Sequence, residues 1–97
     1  MLEAINMIQD ELFLKGEGDA WFERNRSALV KGEKNDWPMH LIGQLDNQQE
    51  IKSVVELGCA NGSRLAELFE MLDCKSCCGV DASMEAIRDG QQRYPEL

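Results

Sequence analysis

The sequence predicts an α/β fold built on parallel strands, and three observations carry that reading. Ser53-Val54-Val55-Glu56-Leu57 is an apolar, β-branched run that meets Gly58, as a buried parallel strand does before a tight turn. Leu65, Leu68, Phe69 and Leu72 follow at the i, i+3, i+4, i+7 spacing of a helix packed on a sheet. Cys77-Cys78-Gly79-Val80 then reads as a second short strand, ending at Asp81. Strand, helix and strand in that order imply a right-handed crossover between parallel neighbours.

The remaining elements follow from caps and breakers. Ser83 suits the N-cap of a helix carrying Met84, Ile87 and Tyr94, with Glu85 in its first turn and Pro95 as its stop. Upstream, Leu2, Ile5, Ile8 and Leu12 recur at helical spacing, so residues 2 to 14 are expected to form an amphipathic helix. Lys15-Gly16-Glu17-Gly18-Asp19 breaks it. A second helix spans Ala20 to Lys31 with Asp19 as N-cap. Asp36-Trp37-Pro38 opens a third, whose apolar face is Trp37, Leu41 and Leu45. The chain thus divides into a helical cap segment, 1–50, and a β-α-β-α half-domain, 51–97.

Composition narrows the function classes. The chain has 97 residues, 18 Asp+Glu against 10 Lys+Arg and a formal net charge of -8. That sign repels phosphate backbones and argues against nucleic acid as a partner. A hydrophobic content of 43% is that of a globular chain. Met1 to Phe13 holds Glu3, Asp10 and Glu11 and lacks the basic start and apolar core of a signal peptide. No apolar run approaches the ~20 residues that span a bilayer. The expectation is a soluble cytoplasmic protein without membrane contact.

Cys59, Cys74, Cys77 and Cys78 read as thiols, with at least one buried as a small apolar side chain. The Cys74-x-x-Cys77 spacing lacks the second pair that a zinc site needs, so no metal is expected. His40, the only histidine, reads as structural rather than as a general base. Trp21 and Phe22 read as core before they read as a ligand lid. Arg24 reads as a solvated or locally paired residue.

The chemistry concentrates in Glu56-Leu57-Gly58-Cys59-Ala60-Asn61-Gly62-Ser63. Ligands of open α/β sheets bind outside the carboxyl ends of the strands. The loop after the first strand must turn sharply there, and glycines allow close backbone approach. Asp81 stands 19 residues after Gly62, close to the ~20 expected of an acid that accepts from a ribose diol. Glycines after a strand are also ordinary turn residues. Strand, loop, helix, strand and Asp81 together favour a nucleotide-type cofactor.

VVELGCANGSRLAEL followed by GVDAS resembles the first two cofactor motifs of class I S-adenosylmethionine-dependent methyltransferases. Glu56, Gly58 and Gly62 match the first motif, Ala60 stands where a middle glycine is usual, and Asp81 matches the second. The resemblance covers about residues 51 to 97. Gly18, Asp19, Trp21, Arg24 and Asn25 add a narrower resemblance, to methylases associated with pseudaminic acid biosynthesis. The resemblance implies a Rossmann-like sheet of which only the N-terminal part is here. It implies S-adenosyl-L-methionine held by Glu56, Gly58, Cys59, Ala60, Asn61, Gly62, Asp81 and Ala82. The loop would lie against the methionine and ribose parts, and Asp81 would hold the ribose hydroxyls.

The same resemblance implies methyl transfer to a small-molecule acceptor, possible in a sugar pathway. The acceptor side of the family's sheet does not precede Leu97, so these 97 residues alone are expected to be inactive. Two alternatives stand beside this reading. One is a non-catalytic cofactor-binding or interaction module. The other is a nicotinamide dinucleotide site, which the Gly58-x-Ala60-x-Gly62 spacing and Glu56 disfavour. Both outer edges of a two-stranded unit lack partners, so self-association through them is expected. Asp81→Ala is expected to weaken the cofactor while leaving thermal stability nearly unchanged.

Overall fold

A three-stranded parallel sheet organises the chain, with helices gathered against one of its faces. The structure, a computed structural model, describes residues 2–4, 16–31 and 36–97. Strand β1 is Leu2–Ala4, helix α1 Gly18–Lys31 and helix α2 Trp37–Gly43. A single turn of 3-10 helix at Gln48–Glu50 leads into β2, Ser53–Leu57. Helix α3, Ser63–Leu72, strand β3, Ser76–Asp81, and helix α4, Met84–Arg93, complete the chain. The sheet order is β1-β3-β2, so β3 is central.

The β2-α3-β3-α4 run forms as the periodicity predicts. Its register pairs Val55 with Cys78 and Leu57 with Val80. Leu65, Leu68 and Leu72 of α3 pack with Ile87 of α4 and with Cys59, Cys74 and Cys77 in one buried cluster. Met39 and Ile42 of α2, Ile51, Val54, Phe69 and Leu97 close around it. Ser83 caps α4 by accepting from the Ala86 amide at 3.1 Å, and the helix ends at Arg93, before Pro95.

Several expectations need correction. Strand β2 is not buried on both faces: Val54 meets the core, whereas Val55 is 65% and Leu57 79% exposed. Its apolar run reflects strand propensity, while α2 and α3 supply cover on one side only. The expected apolar face of α2 is likewise the exposed one. Trp37 and Leu41 point outward, and Met39 and Ile42 are the residues that pack. Leu45 lies beyond the helix, which ends at Gly43.

The third correction concerns the first expected helix, 2 to 14. Leu2–Ala4 is a strand, paired parallel to β3 with Leu2 opposite Gly79 and Ala4 opposite Asp81. The open edge of β3 supplies backbone partners that helical spacing alone does not reveal. Residues 5 to 14 lie outside the described residues. The outer edge of β3 is therefore paired by β1.

Helix α1 begins two residues before its expected start, and Asp19 is not its N-cap. Asp19 sits in the first turn. Its Oδ1 accepts from Ser83 Oγ at 2.5 Å and from the Glu85 amide at 3.1 Å. It thereby satisfies donors at the N-terminus of α4 and docks α1 there. A second attachment is larger. Asp89 of α4, 9% exposed, accepts from Arg26 of α1 at 3.1 Å, Arg93 at 2.8 Å and the Asn61 amide nitrogen at 3.0 Å. Arg26 also lies 4.9 Å from the Phe22 ring centroid, a cation–π contact over a fully buried aromatic. Among the described residues no helix is long and apolar enough to cross a membrane.

Removing the Asp89 carboxylate leaves donors from three segments facing one another without an acceptor. Asp89→Ala should lower the unfolding free energy by about 2–4 kcal/mol. Urea denaturation followed by circular dichroism measures it. A loss under about 0.5 kcal/mol, the scale of a neutral surface change, would show that Asp89 does not hold these segments together.

Candidate functional site at the carboxyl end of the sheet

Strand β2 leaves the sheet through a loop of left-handed residues. Gly58 has φ +75°, Ala60 +51° and Gly62 +83°. A side chain at Gly58 would meet nothing within 4 Å, so glycine answers the backbone conformation there and not crowding. The space before it is open. Ala60 adopts the left-handed conformation despite its Cβ, at a cost of about 1 kcal/mol. Its strain is offset by the bond that its amide makes to Asp81.

That bond is one of several that close the loop. The Val80 carbonyl accepts from the Gly58 amide at 2.7 Å and the Cys59 amide at 3.1 Å. Gly62 donates to the Cys59 carbonyl at 2.9 Å. Asp81 Oδ2 accepts from the Ala60 amide at 2.8 Å, and its Oδ1 accepts from the Ser83 amide at 2.8 Å. Asn61 is fully buried; its side-chain oxygen accepts from the Ser63 amide at 3.2 Å while its nitrogen reaches Asp89. Glycines at 58 and 62, Asn61 and Asp81 are thus brought together as the sequence predicts. Ala82 sits at the bend after Asp81, half-buried.

Cys59 is packed rather than presented. It is 5% exposed, and burial, then the Asp81 and Glu56 charges, push its thiol up to about 12. Glu56, at the end of β2, is not a free carboxylate either. Arg64 donates to its Oε2 at 2.6 Å and to Asp36 Oδ2 at 2.9 Å. Asp36 also caps α2 through the Met39 amide. Glu56 Oε1 is buried without a hydrogen-bond partner among the described residues.

Two cavities flank the loop. One of about 190 Å³ lies between α1 and the strand ends, against Phe22, Gly58, Ala60, Asp81 and Ser83. The other, about 420 Å³, is bordered by Asp36, Glu56, Glu67, Glu70 and Glu96 against the single cation Arg64. Trp21 borders both and is 41% exposed, whereas Phe22 is core. Ala82 and His40 border neither. Arg24 pairs with Glu17 at 3.0 Å on the surface, and Asn25 donates to the Trp21 carbonyl. Among the described residues no group of three or more His, Cys, Asp or Glu is placed to hold a metal ion.

Asp36, Arg64, Asp89 and Arg26 carry no local signal of these roles in the sequence. Their partners lie 28 to 63 positions away, or on another element, and no local pattern marks them. Asp36 alone left a trace, as the start of the third helix.

Asp81 carries more of the fold than a strand-end acid was expected to. Asp81→Ala frees two backbone donors, one in each of the turns it joins, and should cost about 2–3 kcal/mol of stability in denaturant titrations. Unchanged stability would mean that neither bond persists in solution. Glu56 gives a pH signature. Burial, ahead of the opposing Arg64 contact, raises its carboxyl above the ordinary range. The folded chain then holds this proton more tightly than the unfolded chain. The contribution is full below the unfolded value and is lost as pH rises through the folded one. Glu56→Gln removes that loss, so the variant should gain on the native chain as pH is raised through the carboxylate range. Thermal melts at matched ionic strength check it; a variant that falls behind would show the Arg64 pair outweighing desolvation.

No family model, curated protein or solved structure matches the chain, and its function is read from the site itself.

Proposed function

We propose that the chain is the cofactor-binding part of an S-adenosylmethionine-dependent methyltransferase of Rossmann-like fold. The observation that carries this is Asp81: a carboxylate at the end of β3, beside a left-handed glycine loop, on the wall of a cavity that Trp21 also borders. Each carboxylate oxygen has two lone pairs and accepts from one backbone amide, so each can still accept from a ribose hydroxyl. The methionine end would take the other side of the loop, where carboxylates outnumber Arg64 and Glu56 Oε1 lacks a donor. An ammonium or sulfonium group suits that surface. The bound cofactor supplies the activated methyl group; these residues bind, orient and exclude water.

A dinucleotide fits less well. Phosphates at such loops are held by free backbone amides at a helix N-terminus. Here the amides of Gly58, Cys59, Ala60, Gly62 and Ser63 all have acceptors within the chain. That same closure supports a second reading, a non-catalytic module whose loop is a structural turn.

Calorimetric titration with S-adenosylmethionine, S-adenosylhomocysteine and NAD separates the three. The adenosylmethionine pair should bind ahead of NAD, and Asp81→Asn should weaken it about tenfold, the equivalent of one hydrogen bond. Preference for NAD overturns the proposal. Absence of heat with all three at concentrations where the chain is folded favours the structural turn.

A further inference from the structure

We propose that Cys74 and Cys77 form a dithiol–disulfide couple that locks the turn from α3 into β3. Helix α3 ends at Leu72, Asp73 turns the chain in the left-handed conformation at φ 51°, and β3 begins at Ser76. The Lys75 amide donates to the Lys52 carbonyl at 3.1 Å, which anchors the turn beside the start of β2. Cys74 and Cys77 flank this reversal and belong to one buried cluster, 6% and 5% exposed. Cys74 is among the groups that act on the Cys77 thiol.

Geometry selects this pair among the four cysteines. Cys78 follows Cys77 on the strand, so its side chain leaves on the opposite face, beside Val55. Cys59 lies at the other end of the sheet, on the glycine loop. None of the four is in a disulfide. The lock uses residues that the cofactor reading leaves unassigned and stands independently of it.

Glutathione disulfide is a sufficient oxidant. The thiolate of one cysteine attacks a glutathione sulfur, breaking that S–S bond and releasing one glutathione. The second cysteine attacks the protein sulfur of the mixed disulfide, forming the Cys74–Cys77 bond and releasing the other glutathione. The two protons lost by the cysteines end on the two glutathione thiols. The cysteine pair gives up two electrons and the glutathione disulfide takes them. Burial and the neighbouring Cys74 raise the Cys77 thiol above its ordinary value, so the first step is slow.

Lys75 lies between the two cysteines and makes the bond readable. Folded protein is held in millimolar glutathione disulfide, alkylated, and digested with trypsin without reduction. Cleavage after Lys75 separates the two cysteines unless they are bridged. The expected result is one linked pair of peptides joining Cys74 to Cys77, with Cys78 alkylated, and its disappearance after dithiothreitol. Cys78→Ser should keep the link, and Cys74→Ser and Cys77→Ser should lose it. A Cys74–Cys78 bridge overturns the proposal, as do glutathione adducts alone or four alkylated thiols.

Discussion

Asp89 joins three parts of the chain that share no sequence neighbourhood. It takes Arg26 from α1, Arg93 from its own helix and Asn61 from the glycine loop. At 9% exposure it cannot turn to water for these bonds. Removal of any partner therefore leaves charge or donor unpaired in a poorly solvated place. Asn61 passes the constraint on, because the oxygen of the same amide caps Ser63 and begins α3. The position of α1, the path of the loop and the start of α3 are consequently one problem with one solution. The other ion pairs of Arg26, to Glu23 and Glu85, are half-exposed and contribute little beside it.

The loop itself stores strain that its surroundings hold. Ala60 in the left-handed region persists because its amide has a carboxylate acceptor at 2.8 Å. Asp81 supplies that acceptor and, through Ser83, also fixes the entry to α4. Asp19 arrives at the same entry from α1. A ligand that engages Asp81 would thus touch a group already tied to both turns. Binding and loop order are linked there, since any shift of the carboxylate disturbs two backbone bonds.

Legibility in the sequence divides along the same physical line. Local signals read true: the β2-α3-β3-α4 order, Ser83 as a cap, Asp36 as a helix start, Pro95 as a stop. These depend on spacing and side-chain chemistry within a few residues. Glu56, Gly58, Asn61, Gly62 and Asp81 gather as their spacing suggests, because a parallel crossover brings the two strand ends together. What the sequence hid depends on contacts between distant segments. Leu2–Ala4 has helical spacing and yet takes the edge of β3. Asp19 has the chemistry of an N-cap and caps a different helix, α4. Trp37 and Leu41 look like core, but which stripe of a short helix faces inward is decided by Met39 and Ile42 finding the cluster. Glu56 reads as an open charge, and only the fold shows Arg64 across from it.

The two ends of the sheet come out chemically opposite, and this bears on what either can do. At the amino end of β3, Cys74 and Cys77 are buried in a cluster with Leu65, Leu68 and Leu72. At the carboxyl end, Glu56, Asp81 and Asp89 converge, each held by donors from another element. A loop of this shape next to a helix N-terminus would ordinarily attract an anion. Here the chain's own carbonyls and side-chain oxygens occupy its amides, and added carboxylates reverse the sign of the field. Under the proposed function, such a loop would suit ligands that bring donors and positive charge. On that reading the discrimination would lie in Asn61, Asp81 and Glu56, whereas the glycines fix the path of the chain.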